Sequence, residues 1–463
     1  MARNNEIMKN ALGIDYDVFE YGKVAFDYEK MLKDQSYPIE EIQEIQKEGK
    51  TGNTPLFELK NITNLVRKNS PEGKGARIFI KDEAANASGS FKARRAAISV
   101  YDAYQKGYKG VIAATSGNYG AAVASQAAMR GLKCIVVQEV FDSNKIGQPE
   151  ILEKTRKCEA YGAEVVQLTV GPELFYLFLR LLEETGYYNA SLYTPTAIAG
   201  VESLGYEIAN QLFEQEGKYP EAVIATNAGG GNLTGTARGL IKAGAVDTKV
   251  IGASVDLSGL HMASDKDFNK KSFTTGHTGF GVPFTTMPDR SDVPRNAARV
   301  LRYIDRYVTI TQGDVFYTTE LLAQLEGLER GPAGNTSLAA AIAIASEMDQ
   351  DELLVVQETE YTGAGKHPMP QLTFAKENGI EIKRGNPKDS VNGENIIIPN
   401  TIGDIYLQEL DLMKLKNNYI RNVTVRNDIS EIGKDDLEFL CEETQLDEDQ
   451  VLEILGSHEV KVI

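Results

Sequence analysis

The sequence has 463 residues, enough for about two domains, and its hydrophobic content of 42% can bury a sizeable core. A formal net charge of −17 argues against nucleic acid or an anionic membrane as the main partner. No long apolar run follows the first residues, so no secretory signal is expected, and the longest apolar stretch, 338–345, is too short to cross a bilayer. The three cysteines and four histidines lack metal or redox spacing. We therefore expect a protein of the reducing cytoplasm without a metal site.

The first fifty residues are polar, and the amphipathic run 38–45 predicts a helix. The stretch 76–81 alternates polar and apolar residues and is rich in β-formers, which predicts a strand. The alanine-rich stretch 93–101 has an apolar stripe and predicts a helix. A short loop, Ser-Gly-Ser-Phe-Lys at 88–92, therefore joins a strand to a helix.

Lys92 is the last residue of this loop and is expected in the first turn of the helix. Ser88 and Ser90 are candidate N-caps, and Gly89 would allow a ligand to approach the backbone closely. Because the N-terminal end of a helix dipole is positive, a lysine there is favoured in its neutral form, which is a nucleophile toward carbonyls. The ordinary alternative is a surface lysine at a helix start.

From residue 110 onward, strands alternate with helices, and this pattern predicts a parallel sheet. The predicted strands are 111–114, 134–137 and 165–168, and the predicted helices are 118–130 and about 150–161. In such sheets, ligands bind beyond the carboxyl ends of the strands. The loop 115–118 lies at such an end, and its amides and hydroxyls suit a carboxylate. Alone, it could equally be a plain strand-to-helix turn.

A second loop, Ala-Gly-Gly-Gly-Asn at 228–232, follows the predicted strand 222–226 and precedes a helix expected from Leu233. Three glycines let backbone N–H groups converge, and the helix dipole favours an anion there. The loop lacks the ATP-type and dinucleotide-type patterns, so it predicts a cup for a ligand with one phosphate.

The last part of the chain contains a further buried strand at 353–357 and, beyond about residue 400, an acidic tail with helices at 434–440 and 447–455. Four arginines recur at helical spacing, which predicts one positively charged helix face: Arg295, Arg299, Arg302 and Arg306. Their counter-ions would be nearby acids such as Asp289, Asp292 and Asp305, phosphates of a ligand, or an acidic partner subunit.

Four motifs match, in order, the pyridoxal-phosphate enzymes of the tryptophan synthase β type, called fold type II. They are Ser-x-Ser-Phe-Lys at 88–92, Thr-Ser-Gly-Asn-Tyr-Gly at 115–120, Asn-Ala-Gly-Gly-Gly-Asn-Leu at 227–233 and Thr-Gly-Ala-Gly-Lys at 362–366. The resemblance implies an α/β fold of two open-sheet αβα domains with pyridoxal 5′-phosphate in the cleft between them. It implies the following division: a helical cap at 1–50, a large cofactor-binding domain at 51–95 and 206–400, a smaller domain at 96–205 and an acidic helical extension at 401–463.

The same resemblance assigns roles to individual residues. Lys92 is the Schiff-base lysine and general base, and Asn118 hydrogen-bonds the phenolic oxygen of the cofactor. Thr362 supplies a hydroxyl to the pyridine nitrogen, as in the threonine synthase branch, although Glu358 and Glu360 compete for that place. The phosphate ligands are Ala228, Gly229, Gly230, Gly231 and Asn232, and the α-carboxylate of the substrate is received by Thr115, Ser116 and Tyr119.

The run from Lys81 to about His367 resembles the β subunits of 2-amino-4-oxopentanoate thiolases, with Ala93 where an acid is expected. The resemblance implies cleavage of that substrate by coenzyme A into alanine and acetyl-CoA during ornithine degradation, with a small α subunit as partner and a homodimeric β subunit. The first alternative is a threonine synthase or another lyase that works without coenzyme A. The second is a non-catalytic, cofactor-holding subunit, against which Lys92 and Asn118 argue.

Overall fold

The computed structural model describes residues 2–115, 117–142, 144–171, 173–257, 272–274, 278–361 and 368–463. The helices are α1 (Ala2–Leu12), α2 (Tyr28–Gln35), α3 (Ile39–Glu48), α4 (Lys60–Asn69), α5 (Lys92–Gln105), α6 (Asn118–Arg130), α7 (Pro149–Ala160), α8 (Glu173–Thr185), α9 (Pro195–Glu216), α10 (Gly231–Lys242), α11 (Thr278–Thr286), α12 (Gln312–Glu326), α13 (Pro332–Ala345), α14 (Pro368–Glu377), α15 (Leu412–Val423), α16 (Lys434–Thr444) and α17 (Glu448–Ser457).

The strands are β1 (Leu56–Glu58), β2 (Arg77–Asp82), β3 (Gly110–Thr115), β4 (Lys133–Phe141), β5 (Glu164–Thr169), β6 (Tyr188–Asn189), β7 (Ala222–Thr226), β8 (Lys249–Val255), β9 (Arg306–Ile310), β10 (Leu353–Glu358), β11 (Glu381–Arg384), β12 (Asn395–Ile398), β13 (Gln408–Glu409), β14 (Glu431–Ile432) and β15 (Lys461–Val462). They form a seven-stranded sheet in the order β1-β2-β10-β7-β8-β9-β13 and a four-stranded sheet in the order β5-β4-β3-β6. Two small two-stranded sheets pair β11 with β12 and β14 with β15.

Both main sheets have parallel cores, as the alternation of strands and helices predicted. In the large sheet, β2, β10, β7, β8 and β9 run parallel, and only the edge strands β1 and β13 are antiparallel. All pairs of the four-stranded sheet are parallel. Every residue of β10 is buried, because helices cover both faces of such a sheet. The α/β fold with two open sheets is therefore confirmed.

The small sheet is an insertion in the large one. The chain leaves the large sheet at the end of β2, enters α5, builds β3 to β6 and returns through α9 to β7. The helix α9 packs against both α5 and α10, the helices that follow the Lys92 loop and the glycine loop. This path brings the two loops to the same region between the sheets. The exact domain boundaries at 95 and 205 stay predictions.

The predicted arginine-bearing helix was wrong. Of the segment 295–306, only 300–302 forms a single 3-10 turn, and Arg306 begins β9. Side chains compete with the backbone bonds that a helix would need, because Asp289 accepts from the N–H of Asn296 and the Asn296 side chain accepts from the N–H of Ala298. The four arginines pair with acids from several parts of the chain: Glu20, Asp289, Glu347, Glu409, Glu442 and Glu443.

The acidic C-terminal tail packs on the rest of the chain and supplies some of the acids that pair with these arginines. Arg299 is buried between the rings of Tyr28 and Tyr419, and its Nε lies 2.6 Å from Glu443 of α16. Asp436, also on α16, accepts from the N–H groups of Val24 and Ala25 at 2.8 and 2.9 Å. The tail thus fastens the N-terminal segment to the body. None of the helices in the described ranges is long and apolar enough to cross a membrane.

Candidate active site

A cavity lies between the two sheets, where the loops after several strands converge. It is lined by Phe91 and Lys92 at the start of α5, by Thr115, Gly117 and Asn118 after β3, by Thr226 and residues 228–232 after β7, and by Thr359 and Glu360 after β10. The structure therefore brings together the lysine, the asparagine and the glycine loop that the sequence predicted. Ser116 and Thr362 lie outside the described residues, so their predicted roles stay predictions.

Lys92 is the first residue of α5, as expected, but its loop is held in an unexpected way. The N-cap position is Phe91, without a side-chain cap, and the hydroxyls of Ser88 and Ser90 accept no bond from the helix. The expected serine caps were therefore wrong. The loop is fixed instead by pairing with the segment after β10, since the N–H of Phe91 donates to the Thr359 carbonyl at 3.0 Å.

The structure shows a backbone contact at Gly89, and the close approach of a ligand that the sequence predicted stays a prediction. The φ of Gly89, +75°, lies in the left-handed region, and an added Cβ would come within 2.8 Å of the carbonyl oxygen of Tyr361. The N–H of Tyr361 donates to the Gly89 carbonyl at 2.8 Å. The close approach at Gly89 is thus made by the chain's own backbone, which seats the loop that precedes Lys92.

Asn118 begins α6, and its Nδ2 donates to Glu360 of the segment after β10. The hydroxyl of Thr115 accepts from the N–H groups of Gly117 at 2.9 Å and Gly120 at 3.3 Å, so it shapes the turn before α6. The Tyr119 ring is completely buried in the core and does not line the cavity. On a helix, the residue after Asn118 points about 100° away from it, which explains this position.

The glycine loop ends in a left-handed turn. Gly230 has a φ of +85° and occupies the N-cap position of α10, which begins at Gly231, two residues before the expected start. The side chain of Asn232 is buried, yet neither its Nδ2 nor its Oδ1 has a hydrogen-bond partner. Backbone N–H groups at a helix start together with an unpaired amide side chain fit a single phosphate.

Two carboxyl groups follow one another closely at the end of β10. Glu358 is completely buried, and neither carboxyl oxygen has a hydrogen-bond partner. Burial, followed by repulsion from Glu360 and Asp82, raises the pKa of Glu358 well above its ordinary value. Glu358 does not line the cavity, whereas Glu360 does. Of the two acids that competed with Thr362 in the sequence, only Glu360 lines the cavity.

A buried ionic cluster at the first turn of α5 holds this helix to its surroundings. The guanidinium of Arg94 lies 2.7 Å from Glu83 and 2.7 Å from Glu207 of α9, and Lys81 of β2 lies 2.8 Å from Glu207. Burial raises the pKa of Glu207, but Arg94 and Lys81 outweigh it and hold that pKa well below its ordinary value. The cluster links β2 to α5 and α9, and its arginine lies two residues after Lys92 on α5.

Several residues that line the cavity were not predicted from the sequence. Arg290 lies over the rings of Phe284 at 4.1 Å, Phe175 at 4.7 Å and Tyr193 at 5.0 Å from their centroids. Among the described residues, four basic side chains line the cavity together with three carboxylates: Lys92, Arg95, Lys154 and Arg290 with Glu139, Asp292 and Glu360. Arg290 belongs to none of the sequence motifs. Arg95 stands three residues after Lys92 and could have been predicted from that spacing. Groups of three potential metal ligands are absent from the part of the chain that the structure describes.

Comparison with known proteins agrees with this geometry. A family model described as a pyridoxal-phosphate dependent enzyme matches residues 48–359, which include the Lys92, Asn118 and glycine loops. The chain belongs to this family. Its cofactor is therefore pyridoxal phosphate, as predicted, and the residues lining the cavity fit that group: a lysine, a glycine-rich helix start and an asparagine.

The chain is 64% identical over 455 residues to the 2-amino-4-ketopentanoate thiolase β subunit of an unknown prokaryotic organism, covering 98% of this chain and 96% of that protein. It is 66% identical over 447 residues to the β subunit of the same name from Acetoanaerobium sticklandii, covering 96% and 95%. Among solved structures, a threonine deaminase from T.th. is 25% identical, with a TM-score of 0.55 over 70% of this chain and 98% of that one.

Replacing Gly230 with valine should weaken pyridoxal phosphate binding at least tenfold, about 1.4 kcal/mol. A β-branched residue is strained at a φ of +85°, and its Cβ would collide with the Val300 side chain, so the turn that aims the amides would shift. The affinity is measured by titrating the apoprotein with the cofactor. Gly244→Val is the matched control, because Gly244 has a φ of +86° beyond the other end of α10 and does not line this cavity. Equal affinities in the two variants would place the phosphate elsewhere.

Proposed function

We propose that the chain is the β subunit of a thiolase that cleaves 2-amino-4-oxopentanoate with coenzyme A into alanine and acetyl-CoA. The observation that carries the proposal is the identity of 64–66% over nearly the whole chain to the 2-amino-4-ketopentanoate thiolase β subunits. The cavity supports it, because Lys92 lies in a site where cationic side chains are available to an amino acid carboxylate. The name of the relatives implies an α subunit as partner.

The cofactor would be held by groups from both sheets. Lys92 would bind it covalently through Nζ, Asn118 would donate to its phenolic oxygen, and Thr362 would face its pyridine nitrogen. Residues 228–232 would receive the phosphate. When bound, pyridoxal phosphate supplies an electron sink for negative charge that develops on the carbons of the amino acid.

The remaining chemistry needs a base, an acid and a place for the carboxylate. Lys92 is the base that removes the proton at C2 of the substrate. The thiolate of coenzyme A adds to the C4 carbonyl, the C3–C4 bond breaks, and the acetyl group leaves as the thioester. Lys92 then delivers the proton taken from C2 to C3, which becomes the methyl group of alanine, and C2 is reprotonated with the proton that the coenzyme A thiol lost on becoming a thiolate.

The α-carboxylate would be received at the start of α6 by Thr115, Ser116 and the backbone of Tyr119, whose ring is turned into the core. The ammonium group of Lys154, which also pairs with Glu150, lies beside this loop, since a Cβ added to Gly117 would lie 2.8 Å from its Nζ. A helix N-terminus and a nearby cation both favour a carboxylate. Binding there would orient the C2 proton toward Lys92.

We further propose a cytoplasmic hetero-oligomer that contains the small α subunit and a dimer of this chain. The three cysteines are free thiols, and Cys134 and Cys158 are buried, which suits a reducing compartment. Size measurement of the co-expressed subunits by light scattering would give the stoichiometry.

The function is tested by mixing the purified chain, loaded with pyridoxal phosphate, with 2-amino-4-oxopentanoate and coenzyme A. We expect acetyl-CoA and alanine in equal amounts when the α subunit is present. The control replaces the substrate with O-phosphohomoserine, from which a threonine synthase would release phosphate. Phosphate release without any acetyl-CoA would replace this proposal with the threonine synthase alternative.

A further inference from the structure

Arg95 is a buried cation for which the structure shows no carboxylate partner among the described residues. It lies on α5, three residues after Lys92, with only 3% of its surface exposed. Its Nη1 donates to the Leu192 carbonyl at 3.2 Å, its guanidinium lies 5.2 Å from the Phe91 ring centroid, and its Nε has no hydrogen-bond partner. Burial without a compensating acid lowers the pKa of Arg95 to about 10, so the side chain is still charged at neutral pH.

Other buried arginines in the same structure are balanced by acids. Arg94, the preceding residue, contacts the carboxylates of Glu83 and Glu207, and Arg299 contacts those of Asp289 and Glu443. A buried charge is strongly unfavourable unless an opposite charge or several hydrogen bonds compensate it. Arg95 differs from these arginines in facing a cavity, where a ligand can supply the missing anion.

The guanidinium of Arg95 lies at the glycine loop. A Cβ added to Gly231, the first residue of α10, would be 2.9 Å from both Nη1 and Nη2. The N-terminus of a helix carries a partial positive charge, so a cation beside it is repelled unless an anion lies between them. The unpaired side-chain amide of Asn232 belongs to the same loop. The buried guanidinium of Arg95, the start of α10 and the unpaired amide of Asn232 therefore all favour an anion at the glycine loop.

We propose that Arg95 binds the phosphate of pyridoxal phosphate, together with the backbone N–H groups at the start of α10. The planar fork of an arginine can donate to two phosphate oxygens at once. Because Arg95 and Lys92 lie on the same turn of α5, this one turn fixes both the phosphate and the reactive end of the cofactor. The inference concerns cofactor binding and is independent of the thiolytic reaction proposed above.

The test compares Arg95→Met with the wild-type chain in binding pyridoxal phosphate and pyridoxal, which lacks the phosphate. We expect the variant to bind pyridoxal phosphate at least tenfold more weakly and to bind pyridoxal with unchanged affinity. Arg180→Met is the control, because Arg180 is an exposed arginine of α8 paired with Glu184. Affinities are measured from the visible absorbance that appears when the apoprotein is titrated.

Thermal unfolding gives a second readout that does not need activity. The apo form of Arg95→Met should melt at or above the temperature of the wild-type apo form, since an uncompensated buried charge has been removed. Inorganic phosphate should raise the melting temperature of the wild-type apo form and leave that of the variant unchanged. Together, the two readouts separate a lost phosphate contact from a general loss of folding.

Unchanged affinity for pyridoxal phosphate in Arg95→Met would overturn the inference. An equal loss for pyridoxal phosphate and pyridoxal would also overturn it, because the side chain would then support the cavity rather than the phosphate. If Arg95→Met does not fold, Arg95→Gln, which keeps a polar side chain without the charge, is compared with wild type in the same way and with the same two deciding outcomes.

Discussion

Replacement of Lys92 with alanine is expected to abolish turnover and to remove the visible absorbance of the lysine-bound cofactor. Positioned acid–base catalysis contributes about 10²- to 10⁴-fold, and loss of the covalent attachment adds to this effect. Lys92 begins α5 and lines the cavity between the two sheets. The rate of acetyl-CoA formation and the absorbance spectrum of the chain with pyridoxal phosphate check the two effects separately.

Lys92→Arg is the matched control for charge. Arginine keeps a long basic side chain at the helix start but is not deprotonated near neutral pH, so it cannot act as base or nucleophile. We expect this variant to lack activity and the absorbance band while it retains the fold. A Lys92→Ala protein with wild-type activity would remove Lys92 from the mechanism.

Replacement of Arg94 with methionine should lower the free energy of unfolding by about 3–5 kcal/mol, the usual effect of removing one partner from a buried ion pair. Methionine keeps much of the length of the side chain, but it takes away the cation that pairs with Glu83 and leaves Glu207 paired with Lys81 alone. Urea unfolding followed by circular dichroism measures the loss.

Two comparisons make the Arg94 result specific. Arg94→Lys keeps the charge without the fork and should lose less stability than Arg94→Met. Arg180→Met removes an exposed pair and should change the free energy of unfolding by no more than about 1 kcal/mol. If Arg94→Met were as stable as Arg180→Met, the cluster would not be what holds α5 in place.

Elements and loops that are determined by neighbouring residues could be predicted from the sequence. Alternation and apolar runs predicted β3, α6 and β7 within a residue, and the glycines at 229–231 marked the turn into α10. Lys92 was found because its motif lies in a strand–loop–helix unit. In each case the residues that decide the structure are neighbours along the chain.

Features that depend on distant contacts were missed. The serines near Lys92 looked like helix caps, but pairing of the loop with the segment after β10 decides its conformation. The arginines at 295–306 had helical spacing, yet Asp289 and Asn296 form side-chain bonds that support another conformation. The contact of Arg95 with the glycine loop joins two segments that no local pattern relates.

The insertion of the small sheet between β2 and β7 has a consequence for folding during synthesis. All strands of the small sheet lie within residues 110–189, so every strand that it needs has been translated before β7. β2, in contrast, must wait for β10, which pairs with it from Arg77↔Leu353 onward. Long-range pairing of this kind is slow and leaves an edge exposed in the nascent chain. Because the N–H of Phe91 bonds to Thr359, the loop that precedes Lys92 acquires its final conformation only after the ribosome has passed residue 359.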